Sequence, residues 1–328
     1  MVWFLENHAC SRVAILQRIA KCGLIGVDIG DDTVKMAQLV RNGKGISLIA
    51  GGSENQPGDV KPGGGNWQRW AIEAIRQLTA DGKFRGRDAI GAMPAGEVLI
   101  DHMKMPKTKD ESGRDDKLQQ AIFANIKHKL SVEPDDAMIK YIPAEHNNVV
   151  VIAVERKIID RHLAIYENAN LQIKSIGVWP IALVNSYAGF FGRRRADIET
   201  VVMLLELDAN RTNVVVCRHK NLLFARSIPI GANRLDNDEM VTRLVLELTA
   251  CRQHFGSMYK NAQIERLIFL SGQAAAKNVC ATIARQLEMP AQVGDCLAAV
   301  KIADSCRSPI ERRDCQVNWA TAFGLSLS

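Results

Sequence analysis

Apolar and polar positions fall into blocks that mark out strands and helices along most of the chain. Leu24 to Ile29 and Val34 to Val40 are apolar-rich and flank the polar tetrad Gly30-Asp31-Asp32-Thr33, a pattern that predicts a β-hairpin with a tight turn. Ile46 to Ala50 adds a short third strand. From Asn66 onward, Trp67, Trp70, Ile72, Ala74, Ile75 and Leu78 recur at helical spacing, predicting an amphipathic helix that ends near Asp81-Gly82. Arg87 to Pro94 reads as a strand, and Val98 to Met105 alternates as a half-buried strand until Pro106 stops it. A helix over Lys117 to Leu130 and a strand end at Tyr141 to Pro143 follow. The apolar run Val149 to Val154, a helix over Ile158 to Ala169 and a strand over Leu171 to Ile176 come next. Val201 to Cys217 then repeats the opening hairpin, with Leu222 to Ile230 as its third strand. A long helix over Asn237 to Tyr259 and a buried strand from Leu267 run into the small-residue turn Ser271-Gly272-Gln273. Helices over Ala276 to Leu287 and Val317 to Leu327 complete the reading. The hairpin thus occurs twice, about one domain apart, as an internal duplication would place it.

Length and composition narrow the class. A chain of 328 residues predicts two domains, and 47% hydrophobic with 24% charged residues excludes disorder as a description of the whole. The net charge of +6 comes without a long Lys/Arg block, which argues against nucleic acid. Arg193-Arg194-Arg195, the densest cluster, reads as a solvated helix end or linker, with an acidic membrane surface as the alternative. The eight cysteines show no C-x-x-C and no nearby His pair, so reduced cytosolic thiols are expected, with the tail group Cys296, Cys306 and Cys315 the one to watch. His102, His128 and His146 fall in separate elements, against a metal cluster. Residues 1–23 carry Trp3, Phe4, Leu5, Val13, Ala14, Ile15, Leu16 and Ile19 among Arg12, Arg18 and Lys21. Charges recur too often there for a signal segment or a membrane span. An amphipathic helix is expected, packed on the domain or docked on a membrane surface or partner.

The first turn has two readings. Gly30 lets the backbone approach a phosphate and Lys35 offers a point charge, or the tetrad is an ordinary polar hairpin tip. Asp28-Ile29-Gly30 followed by Thr33-Val34-Lys35 resembles the first phosphate motif of actin-like ATPases. Within that superfamily the chain is most similar to the type IV pilus assembly protein family PilM, a relative of FtsA. The turn Glu167-Asn-Ala-Asn-Leu171 and the second hairpin extend the likeness well beyond one motif. It implies an α/β, actin-like (ribonuclease H-like duplicated) two-domain fold with a small inserted subdomain. Domain I would comprise residues 24–86 and 144–198 with the closing helix 317–328, the insert residues 87–143, and domain II residues 199–316, after the leader 1–23.

The resemblance implies a nucleotide site at Asp28, Gly30, Asp31, Asp32, Thr33 and Lys35 of the first turn, Glu206, Asp208, Asn210 and Thr212 of the second, and Ser271, Gly272 and Gln273 of the adenosine turn. Three departures weaken it. Glu206-Leu207-Asp208 replaces Asp-Ile-Gly; Asp31 and Asp32 stand where serines are usual; the adenosine turn keeps one glycine. A carboxylate at about 5 Å from a phosphate costs about 3 kcal/mol at an effective dielectric of 20. Mg²⁺ held by Asp28 or Asp208 would offset part of that. ATP and Mg²⁺ are therefore the cofactors the likeness brings, with weak or absent binding, no turnover and no catalytic residue expected. The implied role is a scaffold at the cytoplasmic face of the inner membrane, holding the cytoplasmic tail of a PilN-like bitopic partner in a groove beside the insert. Val98, Leu99, Ile100, Met103 and Met105 are the candidate groove residues. The alternatives are an active actin-like ATPase or sugar kinase, and a type II secretion component, which would be expected to continue into a transmembrane helix.

Overall fold

Two sheets built to the same plan carry the fold. The computed structural model describes residues 22–43, 45–58, 60–105, 114–270, 276–303 and 317–328. The leader up to residue 21, the adenosine-turn candidates Ser271, Gly272 and Gln273, and the tail cysteines Cys306 and Cys315 lie outside the described residues. In chain order the first elements are β1 (Cys22–Ile29), β2 (Thr33–Asn42), β3 (Gly45–Asn55), α1 (Gly65–Asp81), β4 (Asp88–Met93) and β5 (Leu99–Lys104). Next come α2 (Arg114–Ile126), β6 (Ala137–Pro143), β7 (Asn148–Glu155), α3 (Arg156–Asn168), β8 (Gln172–Val178), α4 (Trp179–Ser186) and α5 (Arg195–Glu199). The remainder is β9 (Val201–Leu207), β10 (Thr212–Arg218), β11 (Asn221–Ile228), α6 (Asp238–Met258), β12 (Arg266–Leu270), α7 (Ala276–Gln286), β13 (Ala291–Val293), α8 (Cys296–Ala299), β14 (Lys301–Ile302) and α9 (Ala320–Ser326).

The first sheet runs β14-β3-β2-β1-β4-β8 and the second β11-β10-β9-β12-β13. In each, an antiparallel three-strand meander is followed by two parallel strands reached through helical crossovers, so the second sheet repeats the order of the first. β9 is buried along its whole length because both of its faces are covered. Val202 and Leu204 join the large core that also holds the first sheet, while Val201, Met203 and Leu205 join the core beneath α6 and α7. α1 lays Trp67, Ala71, Ala74, Ile75 and Leu78 on the first sheet at helical spacing. α6 starts where the Asn237 side chain accepts the Glu239 N–H at 2.8 Å, relieving one unpaired donor of the first turn.

A third sheet, β5-β7-β6, changes the expected division of the chain. The strand at Asp88–Met93 pairs with β1 and β8 in the first sheet and is not part of the insert. The apolar run at Val149–Val154, read as the return to the first domain, is the central strand of the small sheet. It is apolar on both faces because the sheet is sandwiched: Val149, Val151 and Ala153 meet Leu118, Ile122 and Ile126 of α2, and Val150, Ile152 and Val154 enter the main core. β14 pairs with β3, so the chain is back on the first sheet by residue 301.

The small sheet also touches the second one. The neutral His102 ring stacks on Phe224 at 4.4 Å and accepts the Ala225 N–H at 3.1 Å. Burial, with His254 adding to it, pushes the His102 pKa down to about 4. An ion pair between Arg218 and Glu145 joins the same two parts.

Candidate functional site

The two hairpin turns face each other across a cleft. Asp28, Gly30, Asp31 and Asp32 of the first and Glu206, Asp208 and Asn210 of the second all line it, and Asn210 Nδ2 donates to Asp31 Oδ2 at 3.4 Å from one turn tip to the other. The free volume between them is about 30 Å³, roughly one water molecule, where small-molecule pockets offer roughly 300 Å³ or more. Three expected residues stand behind the lining. Thr212 Oγ1 donates to the Ile230 carbonyl at 2.7 Å and serves the β10–β11 connection. Thr33 Oγ1 donates to Asp32 Oδ1 at 3.1 Å. Lys35 is buried, its Nζ 2.9 Å from Asp28 Oδ2.

Charge beneath the cleft is concentrated and partnered. Burial works against the Lys35 ammonium, yet Asp28, Asp208 and Glu206 together hold it protonated well above the ordinary lysine range. Burial raises Asp28 above the usual carboxylate range, against the pull of Lys35, and raises Asp32 with Asp208 adding to it. Glu206 is buried at the base. One carboxylate oxygen accepts from Asn318 Nδ2 at 3.0 Å and Thr321 Oγ1 at 2.9 Å, the other from Asn213 Nδ2 at 2.9 Å. Burial, then Asp208, pushes its pKa up to about 7. Among the described residues no group of three or more His, Cys, Asp and Glu side chains is arranged to hold a metal ion.

The walls contain residues that the sequence reading did not single out: Arg211, Asn213, Trp179 and Thr321, with Pro94 to Gly96 opposite. Arg211 lies beside the predicted second turn and carried a local signal; Thr321 and Trp179 come from distant elements and did not. Behind the 94–96 wall, Glu97 is gripped by Arg161 and by His162 Nε2, the latter at 2.8 Å, and these partners keep its carboxyl below the usual range although burial opposes ionisation.

A second feature is an apolar groove of about 320 Å³ between the small sheet and the first sheet. Its walls are β6 and β8, which are terminal strands of their sheets among the described residues. Ile142 lines one side and Ile176, Val178, Ile181, Ala182 and Leu325 the other. None of the expected groove residues is here. Leu99, Met103 and Met105 pack toward α2 inside the small sheet's own core, and Val98 and Ile100 pack toward the main core. Val98 and Leu99 border a different cavity, with Lys129 and Glu155 at its edge. The alternation of β5 therefore reflects a strand covered on both sides. Among the described residues no helix is long and apolar enough to cross a membrane.

A family profile described as Type IV pilus assembly protein PilM matches residues 26–250. No curated protein matches the chain significantly. Among solved structures, the PilM-PilN type IV pilus biogenesis complex aligns with a TM-score of 0.75 at 16% identity, covering 93% of this chain and 98% of the other. The ethanolamine utilization protein EutJ from Carboxydothermus hydrogenoformans aligns at 0.49 with 13% identity, covering 95% and 92%. The cytoplasmic domain of EpsL, an inner membrane component of the type II secretion system of Vibrio cholerae, aligns at 0.47 with 10% identity, covering 89% and 92%. The repeated strand order and the first of these alignments identify the actin-like ATPase fold.

Proposed function

Because the chain belongs to the type IV pilus assembly protein PilM family, we propose that it is a non-catalytic scaffold at the cytoplasmic face of the inner membrane, which grips the cytoplasmic tail of a PilN-like bitopic partner between β6 and β8. The observation that carries this reading is the groove itself. Two terminal strands flank an apolar recess, and an extended peptide laid there pairs its backbone with a strand edge while alternate side chains fill the recess. The PilM-PilN complex supplies the precedent for the partner.

The cleft supports the non-catalytic half of the proposal. Between the two turns, where phosphates would lie, the free volume is about 30 Å³, roughly one water molecule. Lys35, the cation that would meet a phosphate, is committed to Asp28, and Asp31, Asp32 and Asp208 would repel a triphosphate.

Two measurements test this. In fluorescence anisotropy with the labelled tail peptide, Ile181→Glu, which puts a charge in the groove wall, weakens binding by about 30-fold or more. Leu246→Glu, on the exposed side of α6, leaves it unchanged. Equal affinity of all three proteins would exclude the groove. In calorimetric titration with ATP and Mg²⁺, no saturable heat is expected below roughly millimolar nucleotide; micromolar affinity would return the chain to the nucleotide-binding members of its fold.

A further inference from the structure

Among the described residues β6 is paired on one edge only, with β7. The Ala144 N–H donates to the Asn148 carbonyl at 2.9 Å, in step with the pairing of Pro143 with Val149 and of Ile142 with Val150. Alternate residues of an antiparallel strand turn their N–H and C=O groups the same way. Met138, Lys140 and Ile142 therefore bond with β7, while Ile139 and Tyr141 present theirs to the open edge. Among the described residues no neighbouring strand takes up those bonds. Pro143 falls in the same outward set and has no N–H to leave unpaired.

This edge lies between two recesses. On one face is the groove of about 320 Å³, lined by Ile142. On the other, α2 and β6 enclose a second recess of about 590 Å³, lined by Ile122, Phe123, Ile139 and Tyr141. Phe123, a large apolar side chain, is 45% exposed there. A strand laid against β6 sends successive side chains to opposite faces, one into the groove and the next into the α2 recess. We infer that the partner's tail joins the small sheet as a fourth strand on β6 and fills both recesses. The segment it selects is then a run of consecutive apolar residues, whereas a groove on one face alone would select an alternating one. The inference rests on the groove being the tail site, as proposed above. Charge favours this occupant over a second copy. Among the described residues Lys140 is the one charged side chain that lines either recess, and it borders both. Two copies joined through β6 about a two-fold axis centred on the strand would set Lys140 directly against its own counterpart.

Hydrogen exchange of the full chain, resolved residue by residue, tests the pairing without any substitution. Saturation with the tail peptide of the PilN-like protein is expected to slow the Ile139 and Tyr141 amides at least tenfold. In fluorescence anisotropy, Phe123→Glu, which puts a charge in the α2 recess and leaves the groove intact, is expected to weaken the peptide about tenfold. Weakening by Ile181→Glu alone, with the Ile139 and Tyr141 amides exchanging as before, overturns the fourth strand and leaves the groove reading standing. Protection of both amides with weakening by Phe123→Glu alone keeps the strand on β6 and removes the tail from the groove. Protection that appears without peptide and grows with protein concentration assigns the edge to a second copy and overturns the inference.

Discussion

Alanine at position 324 is expected to lower the stability of the chain by more than about 3 kcal/mol. A Cβ there would lie 1.8 Å from the Ala182 carbonyl oxygen of α4, and on the opposite side of α9 a Cβ at Gly26 of β1 would lie 2.1 Å from the Ala322 carbonyl oxygen. α9 is wedged backbone to backbone between a helix and a strand, and no flexible side chain stands at either contact to swing away. Overpacking a side-chain interface costs about 1–3 kcal/mol. A clash with the α4 main chain exceeds that, because it is relieved only by moving α9, and the close approach of α9 to Gly26 on its other side leaves little room for that movement. Gly256→Ala is the matched comparison. Gly256 lies inside α6 with nothing within 4 Å of its added methyl, so this change should stabilise by up to about 1 kcal/mol through helix propensity. Urea denaturation of both variants measures the contrast, and a Gly324→Ala midpoint equal to wild type would mean that α9 does not hold this position. The position matters for function too, since α9 brings Thr321 to Glu206 under the cleft and Leu325 to the groove.

The twin hairpins were legible because each is two apolar strands around a polar turn, a contrast that local pattern reports directly. Seven of the proposed phosphate-turn residues line one cleft for the same reason: they sit on adjacent positions of two turns. What pattern did not reveal was which sheet a strand joins. β4 and β7 are both continuous apolar runs, and such a run is equally consistent with the centre of a large sheet or of a small one buried on both faces. The recess that we propose for the tail was not among the residues read from β5 for a related reason. Alternation in β5 marks residues that face two cores, whereas a docking edge is defined by the absence of a neighbouring strand, which no periodicity encodes. One local signal did exist, Pro143 closing β6, since proline is tolerated at strand edges and ends. Glu206 looked like a charge aimed at phosphate. Two of its three donors, Asn318 and Thr321, lie more than a hundred positions away, and nothing near Glu206 in the chain announces them.

Lys35→Met is expected to be the most damaging single change beneath the cleft, at about 3–5 kcal/mol near pH 8, because it removes the counter-charge of a buried pair and leaves its carboxylate uncompensated. The dependence on pH separates this from lost packing. Asp28 is already raised above its ordinary value of 3.8 with Lys35 present, and without the ammonium it rises further. A carboxyl whose folded pKa exceeds its unfolded one holds its proton more firmly in the folded state. Stability is therefore greatest below the unfolded value and declines as pH climbs toward the folded one, by at most about 1.4 kcal/mol per unit for each group. Glu206, with a folded value of about 7 against 4.5, gives the wild type some of this slope between those limits, and the variant should steepen it. Urea titrations at pH 5.5 and 8 should show a substantially smaller loss at the lower pH. Asp28→Asn/Lys35→Met, which removes both members of the pair, should recover much of the stability lost at pH 8, since the cost resides in the orphaned charge and a neutral amide carries none. A pH-independent loss, or a double variant no better than the single one, would show that Lys35 acts through its methylene packing, and would free its ammonium for a phosphate.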